Sequence, residues 1–420
     1  MTEWLVVGTL LLLIALNMPI GIALMVSALV AMLASGMPLM MFPIQMFFGT
    51  NSFPLLAIPL FILMGELMGV TLVAARLIDL AYALVGWMRG GLGHVNVVNS
   101  MFMAEMSGSG VADAAMSSKI FVPEMERKGY PRSYAAAITA TSAALGIIIP
   151  PSIPMVLFGV TSNVSIRDLF IAGIVPGVIL GAAFMIVNHI FARRENFPRE
   201  RRFELSYLLT ALKGAIIPLF IPVLVVGGMI LGIFTPTEAS AVGVLVALFF
   251  GVIVSRALTP RVLWGALRAT AIQSSVVMML VAGSAVLGQY LANEQIPQAV
   301  AAGIGAITDN PYLLLLLVNI FLLVLGMFLH ATAAIIIVVP VLMPLVPQMG
   351  IDPVHFGVIV CLNLAIGQQT PPVASILLTV CSIANLRIEQ VLRYGKWFIL
   401  SMFVVLIIVS YMPATTALFR

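Results

Sequence analysis

Charge is what this sequence lacks. Lys, Arg, Asp and Glu make up 9% of its 420 residues while apolar side chains make up 62%, and a soluble domain of this length needs far more polar surface to cover its core. Cysteine is nearly absent. Cys361 and Cys381 lie twenty residues apart in one apolar run, a spacing that fits neither a metal pair nor an evident disulfide, so both read as small core residues. There is no Walker loop, His-Glu-x-x-His, nucleophile elbow or cysteine-rich cluster. ATP hydrolysis and intramembrane proteolysis therefore have no support, and no enzyme is expected. The chain starts Met1-Thr2-Glu3 with no basic n-region, so the first apolar run is expected to be a retained helix, not a removed signal peptide. Ten-residue alternation is also missing, which argues against a membrane β-barrel.

What is there is a succession of apolar runs, each long enough for a helix to cross a bilayer at 1.5 Å per residue. They predict an all-α polytopic membrane protein with about ten spanning helices, near 3–17, 19–36, 52–70, 133–162, 169–192, 213–232, 238–255, 270–289, 353–382 and 397–417. Two further stretches, 91–126 and 311–348, are broken in the middle into arms too short to span. Both are expected to be re-entrant hairpins. With the N-terminus outside, eighteen basic residues fall on the cytoplasmic side, and only Arg167 and Arg420 fall outside. That is a strong positive-inside bias, so the net charge of +4 reports topology and calls for no nucleic-acid partner.

The two halves repeat. At a constant offset of 221, Pro123 matches Pro344, Gly129 matches Gly350, Gly146 matches Gly367, and Pro150-Pro151 matches Pro371-Pro372. Five crossings and one hairpin per half invert the second copy, as in inverted-repeat secondary transporters. The expected division is 1–192 and 213–420, joined by a basic cytoplasmic linker at 193–212.

The breaks are where chemistry is expected. The first hairpin tip reads Ser107-Gly108-Ser109-Gly110, and backbone of that kind at membrane depth must face protein or a wet cavity. Opposite it, Gly146 to Ser152 carries the first proline doublet. Proline removes a donor and crowds the carbonyl one turn back, so carbonyls from Gly146 to Ile149 are expected to lose their partners. With nearby hydroxyls they would form a hard-oxygen cation site of Ser107, Gly108, Ser109, Gly110, Gly146, Ile149, Pro150 and Ser152. The second half offers Leu329, His330, Ala331 and Thr332 at the tip, with Gly367, Gln368, Thr370 and Pro371 at the break. Two sodium sites, with half-helix ends facing an anionic substrate between them, are the working hypothesis. Prolines that merely kink packed helices would not explain paired breaks at matching positions. Glu105, Asp113, Ser152, Gln369 and Ser375 are the candidates for facing the substrate. Of the other intramembrane acids, Glu66 is expected to be paired within the bundle and Glu238 to cap a helix. Na+ as coupling ion is the one small partner expected; no cofactor is.

These residues carry a resemblance. Gly90-Gly91-Leu92-Gly93-His94-Val95, Met106-Ser107-Gly108-Ser109-Gly110-Val111-Ala112-Asp113, Ile149-Pro150-Pro151-Ser152-Ile153-Pro154, Gly232-Ile233-Phe234-Thr235-Pro236-Thr237-Glu238-Ala239 and Thr370-Pro371-Pro372 occur in that order. Over essentially the whole chain, the pattern resembles the large membrane subunit of tripartite ATP-independent periplasmic (TRAP) transporters. The resemblance implies a bacterial inner-membrane location and an elevator-type mechanism, in which a domain carrying both hairpins moves against a scaffold, driven by sodium. It also implies a small four-helix membrane subunit, a periplasmic substrate-binding protein and a carboxylate or sugar-acid substrate. This chain departs from relatives in having His330 where an aspartate is common, and Ala374 and Ser375 where glycine and asparagine are.

A stand-alone carboxylate carrier of the same architecture and a channel are the other readings; saturable, sodium-dependent uptake excludes the channel. The inverted repeat predicts opposite sidedness for the two hairpin bases. In a cysteine-free background, Arg127→Cys should label only from the cytoplasm and Gln348→Cys only from the periplasm. Labelling of both from the same side would remove the repeat.

Overall fold

The computed structural model describes residues 2–16, 18–71, 73–200, 202–305, 308 and 310–418. Every regular element among them is helical. In chain order these are α1 (Thr2–Ala15), α2 (Ile20–Ala34), α3 (Met41–Thr50), α4 (Ala57–Gly69), α5 (Val73–Val85), α6 (Gly91–Ser107), α7 (Gly110–Arg127), α8 (Arg132–Ala143), α9 (Ile153–Ser162) and α10 (Ile166–Arg194). The second half contributes α11 (Leu205–Ile230), α12 (Pro236–Phe249), α13 (Pro260–Asn293), α14 (Ile296–Gly305), α15 (Pro311–Phe328), α16 (Ala331–Leu342), α17 (Pro353–Gly367), α18 (Ser375–Ala384), α19 (Ile388–Tyr411) and the short α20 (Ala414–Ala417). The hairpins expected at 91–126 and 311–348 are the pairs α6–α7 and α15–α16, but α15, at 18 residues, is long and apolar enough to cross a membrane alone, against the expectation that the arms are too short.

Six described helices are individually long and apolar enough to cross a membrane: α10, α11, α12 with its π turn to Val254, α13, α15 and α19. A seventh forms if α3 and the segment Phe53–Gly69, bent by 61°, act as one span. The runs at 133–162 and 353–382 are not continuous helices. Each is two arms, α8 and α9 or α17 and α18, separated by a proline doublet whose ring nitrogens cannot donate to the ladder. In both doublets the Pro–Pro peptide is cis.

Three elements were not evident from hydropathy. Helices α3, α5 and α14 are short, and α5 is amphipathic, with Arg76 and Asp79 on it. Helix α11 starts at Leu205, inside the segment read as linker, because Tyr207, Leu208 and Ala211 pack onto Leu80 and Ala83 of α5. Helix α13 runs 34 residues rather than the expected twenty, started by Pro260 and by the Thr259 hydroxyl, which accepts from the Val262 amide.

The packing falls into two groups, joined where α4 and α5 lie on α6 and α13 on α16. Helices α1 to α4 pack with α11 to α13, and α6 to α10 pack with α15 to α19. Across the halves partners are exchanged: α7 lies on α18 and α16 on α9, α8 on α19 and α17 on α10, α2 on α13 and α4 on α12. Helices α10 and α19 touch each other. Glycine permits the closest approaches. A side chain at Gly367 of α17 would lie 2.4 Å from the backbone of Gly326 on α15. Glu238 closes a capping box with Thr235 at the start of α12.

Buried polar side chains fix the base of the first hairpin. The Tyr134 hydroxyl donates to Asn188 Oδ1 at 2.6 Å, and Asn188 Nδ2 donates to the Gly90 carbonyl at 3.1 Å. In the loop after α7, burial, reinforced by Glu200, pushes the Tyr130 phenol above its ordinary range. Replacing Asn188 by leucine leaves the buried Tyr134 hydroxyl without its acceptor, while the Gly90 carbonyl keeps the His94 amide, and should cost roughly 2 kcal/mol. Tyr134→Phe should cost less, and the double variant should be less destabilised than the two singles combined. Thermal unfolding in detergent measures this; an Asn188→Leu midpoint equal to wild type would contradict the linkage.

Candidate functional site

The two hairpin tips open onto one chamber of about 350 Å³. Gly108, Ser109 and Gly110 line it from the first tip, and His330, Ala331 and Thr332 from the second. Ile147, Ile153 and Pro154 come from the first break and Gln368 from the second. The far wall belongs to the other helix group: Ile62 of α4 with Ile272, Gln273, Val276 and Val277 of α13.

At the first tip the chain leaves α6 through Gly108, at φ +55°, and re-enters helix with Ser109 as the N-cap of α7. Glycine serves here both for the left-handed turn and for contact, since a Cβ at Gly108 would lie 3.3 Å from the Pro151 carbonyl oxygen. A Cβ at Gly110 would lie 3.1 Å from the Ala143 oxygen and 2.6 Å from Ile376 of α18. Asp113, fully buried one turn into α7, lies against Gly146, where a Cβ would come within 2.5 Å of Oδ2. The tip, the break, and α18 of the other half therefore meet at one point.

The carbonyls at this break do not all turn toward the tip. Residues 144–147 form a 3₁₀ turn, which rotates successive carbonyls by about 120°. The Ile147 oxygen accepts from the Ser152 hydroxyl at 2.6 Å, and the Ile148 oxygen faces α10, where a Cβ on Gly173 would lie 2.6 Å away. The Ile149 side chain packs against Gly177 of α10.

The second tip is held differently. His330 is the N-cap of α16, its Nδ1 3.0 Å from the Thr332 hydroxyl. The Met327 carbonyl accepts from the amides of both Val373 and Ala374, at 3.2 and 3.4 Å, stitching the second break to α15. Ser375 donates to Gln368 Oε1 at 3.0 Å, and Thr370 donates to the Ile366 carbonyl of its own helix at 2.9 Å. Gln369, fully buried, donates to the Ala140 carbonyl of α8 at 2.6 Å and so ties this break to the first half.

Of the residues singled out by sequence, Gly108, Ser109, Gly110, His330, Ala331, Thr332 and Gln368 line the chamber, with Gly146, Asp113 and Ser152 packed behind the first tip. Leu329 at the second tip and Gly367, Gln369, Thr370, Pro371 and Ser375 at the second break do not line the chamber, nor do Ile149 and Pro150 at the first break. The side chains of Glu105 and Ser107 lie outside the described residues. Sequence reasoning missed the α13 wall. Its signal was Gln273, an amide in an apolar run, whose Nε2 donates to Glu66 Oε1 at 2.7 Å across α4 and α13. Ile62 and Gln273 also bound a second cavity of about 300 Å³, lined further by Gly65, Glu66, Gly69, Val70, Ala112 and Met116.

Among the described residues no lysine or arginine lines the chamber. Instead α7, α9 and α16 direct their N-termini at it through Gly110, Ile153 and Ala331, so its positive potential comes from helix ends.

Residues 7–415 match the family described as tripartite ATP-independent periplasmic transporter, DctM component. The chain belongs to the DctM family. It is 39% identical to the 2,3-diketo-L-gulonate TRAP transporter large permease protein YiaN of Escherichia coli K12, over 87% of this chain and 86% of that one. It is 37% identical to the sialic acid TRAP transporter large permease protein SiaM of Vibrio cholerae, over 96% and 94%. The C4-dicarboxylate permease DctM of Pseudomonas aeruginosa is also 37% identical, over 89% and 87%. Among solved structures, the YdaH transporter of Alcanivorax borkumensis shares the fold, with a TM-score of 0.59 and 14% identity over 87% of this chain and 86% of that one. This DctM chain is thus a multi-pass membrane permease of a TRAP transporter.

The Ala374 position gives a sharp test of the second break. It sits at φ +47°, fully buried, where an L side chain costs about 1–2 kcal/mol and a β-branched one more. Ala374→Val should therefore lower the thermal midpoint by the equivalent of at least about 2 kcal/mol, whereas Ala374→Gly should stay within about 1 kcal/mol of wild type. Equal tolerance of valine and glycine would mean that the loop is not left-handed there.

Proposed function

We propose that this chain is the large permease subunit of a sodium-coupled uptake system for an organic anion, a carboxylate or sugar acid. It works with a small four-helix membrane subunit and a periplasmic substrate-binding protein, in the bacterial inner membrane. The observation that carries this reading is the single chamber shared by both hairpin tips. Helix N-termini without a fixed cation favour a carboxylate while leaving it free to depart. The named substrates of the relatives, a diketogulonate, sialic acid and C4-dicarboxylates, are all organic acids of this kind.

Sodium is assigned to the two tip-and-break junctions. At the first, the Ser109 hydroxyl and backbone oxygens around Gly108, Gly146 and Pro151 supply hard ligands; at the second, backbone oxygens around His330 and Gln368 do so with Thr332. Binding there draws each tip onto its break and so favours the anion between them. The exchange of packing partners between halves supports the inverted repeat, with 1–192 and 213–420 as its units. The two helix groups supply the bodies of an elevator: α6 to α10 with α15 to α19 carry the tips, and α1 to α4 with α11 to α13 form the scaffold. The second cavity lies beyond the Gln273–Glu66 bond and extends to Gly69 and Val70 at the end of α4.

Proteoliposomes holding both membrane subunits, loaded binding protein outside and an imposed sodium gradient test the proposal. Ser109→Ala should raise the sodium concentration for half-maximal uptake about tenfold, equivalent to about 1.4 kcal/mol from one lost ligand. Pro150→Ala with Pro151→Ala should abolish sodium coupling by letting the break close into helix. Uptake with unchanged sodium dependence in both variants would place the coupling ion elsewhere.

A further inference from the structure

A second feature lies at the base of the first hairpin, on the face that carries the basic residues. Arg89 and Arg199 are bridged as antiparallel backbone partners, and the neighbouring bonds from the Gly90 amide to the Pro198 carbonyl and from the Glu200 amide to the Gly86 carbonyl measure 3.0 and 3.2 Å. The bridge ties the loop before α6 to the segment after α10. Arg193, in the last turn of α10, joins them around a cavity of about 470 Å³ that Trp87, Met88 and His189 complete.

Three guanidinium groups around one cavity repel each other. Among the described residues none of the three makes an ion pair. The nearest acids in sequence are engaged elsewhere: Glu200 pairs with Lys128 at 3.2 Å, and Glu195 accepts from the Tyr394 hydroxyl at 3.3 Å. A topological role explains how many arginines this face holds, but not why a backbone bridge brings two of them beside a third at the end of α10; scattered along the loops they would orient the chain equally well. Trp87 adds a second indication. Its indole N–H donates to the Leu84 carbonyl at 2.8 Å and its ring meets Phe203 edge-on, which fixes an exposed aromatic at the cavity rim, the arrangement of an interfacial anchor.

We propose that this cavity binds a phosphate group through Arg89, Arg193 and Arg199. Planar guanidinium forks grip phosphate oxygens in pairs, and at a membrane face the group is supplied either by the headgroup of an anionic phospholipid or by soluble phosphate. A lipid held there would tether the base of the tip-bearing helices to its leaflet.

Intact-complex mass spectrometry of the purified, delipidated full chain, titrated with phosphatidylglycerol or phosphatidylcholine, tests the site. Wild type should retain phosphatidylglycerol in preference to phosphatidylcholine, and each of Arg89→Gln, Arg193→Gln and Arg199→Gln should weaken retention about fivefold. Each of Arg256→Gln, Arg261→Gln and Arg268→Gln removes the same single charge outside the cavity and should bind as wild type does. Competition by millimolar inorganic phosphate assigns the site to soluble phosphate, and its failure to compete assigns it to lipid. Absence of a headgroup preference in wild type, a comparison that needs no variant to fold, overturns the proposal. So does equal weakening by the cavity and control substitutions.

Discussion

A peptide group inside a bilayer has no water to bond to, so every interruption of a membrane helix needs a partner supplied by the protein itself. Among the described residues the apolar runs are interrupted at two tips and two proline doublets, and much of the architecture follows from satisfying them. The Ser152 hydroxyl covers the Ile147 carbonyl, the Met327 carbonyl takes the two amides after the second doublet, and Gln369 reaches the Ala140 carbonyl. Glycine at 108, 110 and 367 lets backbones close on each other where a methyl group would collide. The Gln369–Ala140 bond crosses between the two halves of the sequence, as does the packing of α7 on α18 and of α16 on α9.

The same constraint produces the chamber. Once both tips are held against their breaks, the N-termini of α7, α9 and α16 converge on a space that no lysine or arginine lines among the described residues. An anion there would be held by oriented peptide dipoles, which are fixed in direction and modest in strength. Such a site suits a transporter, which must bind and also release. The α13 wall adds apolar surface from Ile272, Val276 and Val277, and one polar feature, the Gln273–Glu66 bond that separates the chamber from the neighbouring cavity.

Much of this was legible in the sequence because proline and glycine have few uses in a membrane helix. The doublets and the Ser107–Gly110 run located both hairpins and both breaks within a few residues of where they lie. Hydropathy failed where length and neighbours decide. Helices α5 and α14 are short, so neither gave a spanning signal, and α11 extends into the basic linker because Tyr207, Leu208 and Ala211 have α5 to pack on. The doublets told which helices break, but not where each carbonyl turns. The 3₁₀ turn at 144–147 sends the Ile148 oxygen toward α10, and Thr370 bonds back to its own helix. Pairing between distant segments was the remaining gap. Nothing in the order of residues joins Gln273 to Glu66, or places Arg89 beside Arg199.

The central claim is that both tips enclose the transported anion. A cryo-electron microscopy map of the intact transporter in saturating sodium and substrate tests it most directly. Substrate density within the chamber, in contact with Gly108–Gly110 and with His330–Thr332, is the predicted result, with cation density at the tip-and-break junctions. Substrate density away from both tips, or against one alone, would contradict the account.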